Sequence, residues 1–133
     1  MGFDMDIIKV KKKTLEDILQ KYYQKDINDL PYEAFEELEK ESSSKSFTSR
    51  VDILRNIENK LPYANCTYVY LDKEQYELIL SHCSERKAYL MQYAENDFYG
   101  KELEYRECER LYYWLQGLNP DWDNELIIYE HDC

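Results

Sequence analysis

Apolar positions along this chain follow two periods, and each period predicts a different element. Ile7, Ile8 and Val10 form a short apolar run ending in Lys11-Lys12-Lys13, which reads as a strand over about 6–10. Helical spacing follows. Leu15, Ile18, Leu19 and Tyr22 recur at three- and four-residue intervals and predict a helix over about 15–24, with Thr14 as N-cap and Asp17 completing an approximate capping box. Asp26 to Pro31 is a turn, and Pro31 can open the next helix because its missing N–H falls where a helix has no partner for it. Ala34, Phe35 and Leu38 give that helix an apolar face; Glu33, Glu36, Glu37 and Glu39 give it a polar one.

Glu41-Ser42-Ser43-Ser44-Lys45-Ser46 is the only low-complexity stretch and predicts a flexible loop over about 41–47. Phe47, Val51, Leu54, Ile57 and Leu61 then return to helical spacing. They predict a third helix, capped by Thr48 or Ser49 and ended by Pro62. Thr67-Tyr68-Val69-Tyr70-Leu71 is dense in β-formers and reads as a strand. Asp72 with Gln75 makes a capping box for a long helix over about 73–94, with Tyr76, Ile79, Leu80, Cys83, Leu90 and Ala94 on its apolar stripe. Asn96 to Gly100 breaks the pattern. A last helix over about 101–116 carries Tyr105, Cys108, Leu111, Tyr112 and Leu115, with Gly117 as its C-cap. After the turn at Asn119-Pro120-Asp121, Leu126-Ile127-Ile128-Tyr129 predicts a final strand within about 125–130.

The elements sum to a mostly helical α+β fold. It has about five helices and a small sheet of two or three short strands, in a single domain over 1–133; an all-α fold is the alternative if the end strands stay unpaired. A length of 133 residues suits one domain, and 3 Gly, 3 Pro and 34% charged residues suit helix. No apolar run approaches the roughly 18 residues of a membrane span. The first residues are acidic and lack an apolar signal region. Cys66, Cys83, Cys108 and Cys133 have no CxxC spacing and read as reduced thiols. The expectation is a cytoplasmic protein.

Charge and tyrosine turn this outline toward function. From Leu61 onward there are 15 Asp/Glu against 6 Lys/Arg, and 11 of the 14 tyrosines lie in that half. Net charge speaks to partners and association rate. Tyrosine adds a large rigid surface with a polar tip at little entropic cost. Part of the charge cancels locally, through Glu102–Arg106 and Glu107–Arg110 at helical spacings. The residues expected to bind a partner are Tyr99, Tyr105, Tyr112, Tyr113, Asp121, Trp122, Asp123 and Glu125.

The partner expected is a protein with a basic surface, such as a nuclease or another nucleic-acid enzyme. Acids four apart on a helix stand about 6 Å apart along its axis, comparable to phosphates along a strand, so an acidic face can imitate nucleic acid. The chain would then act as an inhibitor of the immunity-protein or phage anti-defence type. Direct nucleic-acid or membrane binding is opposed by the charge. A scaffold or regulatory subunit, including a homodimer, is a second reading, and a small hydrolase a third.

No catalytic motif of the GxSxG, P-loop, HExxH or GxGxxG kind occurs, so no catalytic residue and no cofactor are expected. His82, Cys83, Cys108, His131 and Cys133 are ligand types for zinc but lack the close spacing of zinc sites; Cys83 and Cys108 fit apolar stripes instead. Adjacent His82 and Cys83 point about 100° apart on a helix and would not pair.

Overall fold

Ile7 and Ile8 are neighbours in sequence and both are buried, as are Ile127, Ile128, Tyr129 and Glu130. Successive strand side chains point to opposite faces, so strands of this kind need cover on both sides. The computed structural model, which describes residues 3–62, 64–92 and 101–131, supplies it. β1 (Phe3–Lys11) and β4 (Glu125–His131) lie at the centre of a four-stranded sheet in the order β2-β1-β4-β3. β2 (Ser43–Ser49) and β3 (Val69–Leu71) form its edges, and every pairing is antiparallel.

Two helical layers enclose this sheet. On one face Ile8, Val10 and Ile128 meet Leu15 and Ile18 of α1 (Lys12–Lys21), Ala34 and Leu38 of α2 (Tyr32–Lys40), and Ile27 and Leu30 between them. On the other face Met5, Ile7, Ile127 and Tyr129 meet Tyr76, Ile79 and Cys83 of α3 (Lys73–Met91) and Cys108, Leu111 and Leu115 of α4 (Glu102–Leu118). Ile53, Leu54, Ile57, Leu61 and Ala64 complete this larger core. Burial of such side chains, at roughly 1.5–3 kcal/mol each, is what holds three layers together.

The fold is α+β, but its balance differs from the sequence expectation. The described residues contain four α-helices instead of about five, and the sheet is larger than the two or three short strands expected, which also removes the all-α alternative. Both differences have one origin. The serine-rich stretch expected as a flexible loop at about 41–47, and the start of the expected third helix, are β2, whose seven residues all pair with β1. Phe47 and Ser49 point into the core at strand spacing. α4 clamps this strand: the Arg110 guanidinium lies 4.0 Å over the Phe47 ring and donates to the Thr48 carbonyl at 2.6 Å, while Trp114 stacks on Phe47 at 6.0 Å. Residues 50–57 wrap in turns and Glu58–Lys60 is a single 3-10 turn. Phe47, Leu54, Ile57 and Leu61 of the expected stripe are nonetheless buried, while Val51 is half-buried and Ile53, outside the stripe, is buried as well, so the apolar spacing marked most of the burial and got the conformation wrong.

Element ends moved for similar reasons. α1 begins at Lys12, not after Thr14, and its N-cap Lys11 makes no side-chain capping bond. The Lys12 N–H donates to the Asn124 carbonyl at 2.9 Å, so a tertiary contact takes the place of a cap. Gly117 lies inside α4, and Asn119, at φ 39°, ends the helix in the left-handed region that Asn tolerates. The Asp72–Gln75 capping box is present as expected, with Gln75 N–H to Asp72 Oδ1 at 2.8 Å and Asp72 N–H to Gln75 Oε1 at 3.0 Å. No helix among the described residues is long and apolar enough to cross a membrane.

Candidate functional site

α3 and α4 pack side by side with opposed directions, since Tyr76 meets Leu115 while Arg86 meets Glu104. Lys87 sits on this seam. Its ammonium lies 3.1 Å from a Glu109 carboxylate oxygen and 5.5, 5.9 and 5.4 Å from the ring centres of Tyr105, Tyr112 and Tyr113. Desolvation works to lower the Lys87 pKa, but its hydrogen bond and charge contact with Glu109, followed by Tyr105 and Tyr113, outweigh it and raise the value. A cation over tyrosine faces gains from the ring quadrupole, and Lys87 lies near three such rings at once. Tyr112 meets Tyr113 edge-on at 5.5 Å.

These rings border a pocket of about 370 Å3 lined by Ser84, Lys87, Ala88, Met91, Tyr105 and Tyr112. Tyr113 is 61% exposed and Met91 53% exposed. Tyr105 and Tyr112 are half-buried. Glu74, Glu77 and Glu85 follow one side of α3, and none of them forms an ion pair among the described residues. By contrast, the two pairs read from helical spacing are both made, Arg106 to Glu102 at 2.5 Å and Arg110 to Glu107 at 2.6 Å.

The 121–125 loop is a separate place with different chemistry. Asp121 folds its carboxylate back on its own turn, accepting from the Asp123 N–H at 3.2 Å and from Asn124 Nδ2 at 2.8 Å. The Asn124 side-chain bond, then the Asp123 backbone bond, hold its pKa below the usual carboxylate range. The Asp121 N–H in turn donates to Glu125 Oε1 at 2.8 Å, and Glu125 lies 3.9 Å from the Lys9 ammonium. Asp121, Asp123 and Glu125 share a pocket of about 650 Å3 with Lys11, Lys12 and Lys13. The lysine run of β1 and α1 therefore offsets the acids of this loop. Trp122 turns inward and meets Tyr76 edge-on at 5.6 Å.

The residues expected to bind a partner thus fall into two groups. Tyr105, Tyr112 and Tyr113 are brought together around Lys87. Asp121, Trp122, Asp123 and Glu125 gather at the Tyr76 end of α3, eleven residues and so about 16 Å along the helix from Lys87. Tyr99 lies outside the described residues. Four exposed aromatics among the described residues were missed: Tyr23, 94% exposed, and Tyr32, 75% exposed, in the less acidic half, and Tyr70 and Tyr89 in the acidic one. Tyr23 also holds φ 56°, unusual for a ring-bearing residue. The visible signal for Tyr32 was its position after Pro31, which puts it opposite Ala34 and Leu38 on α2.

The zinc-type residues do not converge. His82 Nε2 is 2.8 Å from the Ile53 carbonyl, Cys83 and Cys108 are buried between the helices and the sheet, and His131 lies against the Tyr129 ring at 5.6 Å. Cys133 lies outside the described residues, and among those described no three ligand-type side chains gather. Burial pushes the Cys83 thiol up to about 12 and the Cys108 thiol up to about 11. Comparison with known proteins returned no matching family model, no matching curated protein and no matching solved structure.

Proposed function

We propose that the chain is a cytoplasmic inhibitor that docks on a basic-faced protein, an enzyme handling nucleic acid, through the outer face of α3 and α4. The observation that carries this reading is the tyrosine cluster around Lys87: three rings beside exposed Met91, on the same helix as Glu74, Glu77 and Glu85. The rings and Met91 supply apolar contact that slows release, and the acids speed encounter with a positive surface. The 121–125 loop has a minor part in this reading, because its acids already face lysines.

The test is titration of the chain against basic nucleases and nucleic-acid-binding enzymes, scored by inhibition and by Kd at low and high salt. The expected result is inhibition that weakens by at least about tenfold between 50 and 500 mM salt, since screening shortens to a few ångströms over that range. A Kd indifferent to salt overturns the electrostatic reading. If the chain binds only itself, with a dimer lost on Tyr113→Ala, the same exposed cluster serves a homodimeric scaffold instead.

A further inference from the structure

Asp6 of β1 and Glu130 of β4 stand directly opposite each other in the antiparallel register. Cross-strand partners of this kind have Cβ atoms about 5 Å apart, and like charges placed there repel. This pair is also removed from water on one side. Glu130 is 9% exposed, on the sheet face that also carries buried Ile8, Val10 and Ile128. Asp6 accepts from the Ser46 hydroxyl across the neighbouring β2. It opens onto a pocket of about 310 Å3 lined also by Glu39, Ser44 and Tyr68.

The charged and titratable groups around the pair offer little compensation. β1 adds Asp4, two residues from Asp6 and on the same face; α2 adds Glu39; the approach to β3 adds Tyr68; β4 adds His131, the one neighbour among the described residues whose charge favours ionised Glu130. Two carboxylates opposed across one ladder, with Glu130 buried and Asp6 half-buried, are relieved by keeping one of them protonated.

We propose that Asp6 and Glu130 share one proton as a carboxyl–carboxylate pair, and that its loss loosens the β1–β4 centre of the sheet as pH rises. The Glu130 hydroxyl donates to Asp6, and Asp6 also accepts from Ser46. Desolvation, then the charge of Asp6, then the hydrogen bond to Asp6 raise the Glu130 pKa above its ordinary value. A raised folded-state pKa contributes stability that is fully present below the unfolded value, about 4.3 for Glu. That stability is lost as pH climbs through the folded value. At most one proton is involved, so the folded-to-unfolded ratio falls by no more than about tenfold per pH unit.

The experiment pairs carboxyl NMR titration with urea denaturation from pH 4 to 9, on the intact chain and on Glu130→Gln and Asp6→Asn. In the intact chain the Glu130 carboxyl should titrate above the usual carboxylate range. Its denaturation midpoint should decline across that range. Glu130→Gln keeps an N–H donor for Asp6 and removes the titration, so its midpoint should be flatter with pH. In Asp6→Asn the Glu130 titration should move back toward its ordinary value. If Glu130 titrates normally in the intact chain, or if both variants keep the same pH slope, the shared proton is overturned.

Discussion

The two helical layers differ in more than size. α1 and α2, of 10 and 9 residues, each lay one apolar face on the sheet and leave the opposite face to solvent. α3 and α4, of 19 and 17 residues, must satisfy the sheet, each other and the 51–64 segment at once. Apolar and aromatic residues therefore spread around them: Leu78, Leu80, Tyr112 and Trp114 pack at the flanks of the core, while Tyr89, Met91 and Tyr113 remain exposed. The difference teaches where a binding surface can arise. A helix packed on one side needs a single apolar face, though α2 still exposes Tyr32 opposite it, whereas one packed on several sides carries several aromatic and apolar residues into solvent without losing its core.

The ion pairs differ in the same way. In the α1–α2 layer Glu37 joins the two helices by accepting from Lys21 at 2.7 Å and from the Tyr22 hydroxyl at 2.8 Å. In the α3–α4 layer, Arg86–Glu104 and Lys87–Glu109 hold the seam, and Lys87 also lies beside the rings of Tyr105, Tyr112 and Tyr113. The first pattern ties a layer together; the second also reaches its outer surface.

The largest test of this comparison concerns the cores. Leu111→Ala and Leu38→Ala, one fully buried residue from each layer, should each cost about 2–5 kcal/mol. In urea denaturation followed by circular dichroism, both should shift one common transition, because β1 and β4 contribute side chains to both cores. A separate early transition in Leu38→Ala would break the molecule into two independently melting layers.

A smaller effect separates the two aromatic surfaces. Tyr113→Ala should weaken partner binding by about 2 kcal/mol, roughly thirtyfold, as expected for an aromatic anchor. Tyr23→Ala should leave Kd within about twofold. Surface plasmon resonance on an enzyme that the chain is found to inhibit measures both, and the reverse ranking would transfer the interface to the α1–α2 side.

The smallest effect sharpens how the layers begin. Asp72→Ala removes a formed capping box from α3 and should cost about 1 kcal/mol in denaturant unfolding. Thr14→Ala, within α1 and not at its cap, should stay within about 0.5 kcal/mol. Equal losses would mean that Thr14 caps α1 after all.

Much of the fold was legible along the chain. The Asp72–Gln75 box, the α3 stripe from Tyr76 to Leu90 (Ala94 lies outside the described residues), the α4 stripe, the strand character of Ile127–Tyr129 and the Glu102–Arg106 and Glu107–Arg110 pairs are all local, set within a few residues. Local spacing also marked Leu54, Ile57 and Leu61 as buried. It could not say that Ser43–Ser49 is a strand, because the β-forming partner lies about 40 residues earlier in β1 and the clamp, Arg110, 62 residues later.

The candidate site divides along the same line. That Tyr105 and Tyr112 share a helix stripe follows from 3.6 residues per turn, and the acid excess of the second half follows from counting. That Lys87 gathers Tyr105, Tyr112 and Tyr113, while Lys11, Lys12 and Lys13 face Asp121 and Asp123, was decided by packing α3 on α4 and the 121–125 loop against the start of α1. Short-range spacing fixes which residues share a face. Which faces meet, and so which charges cancel and which rings stay exposed, depends on contacts between segments far apart in the chain.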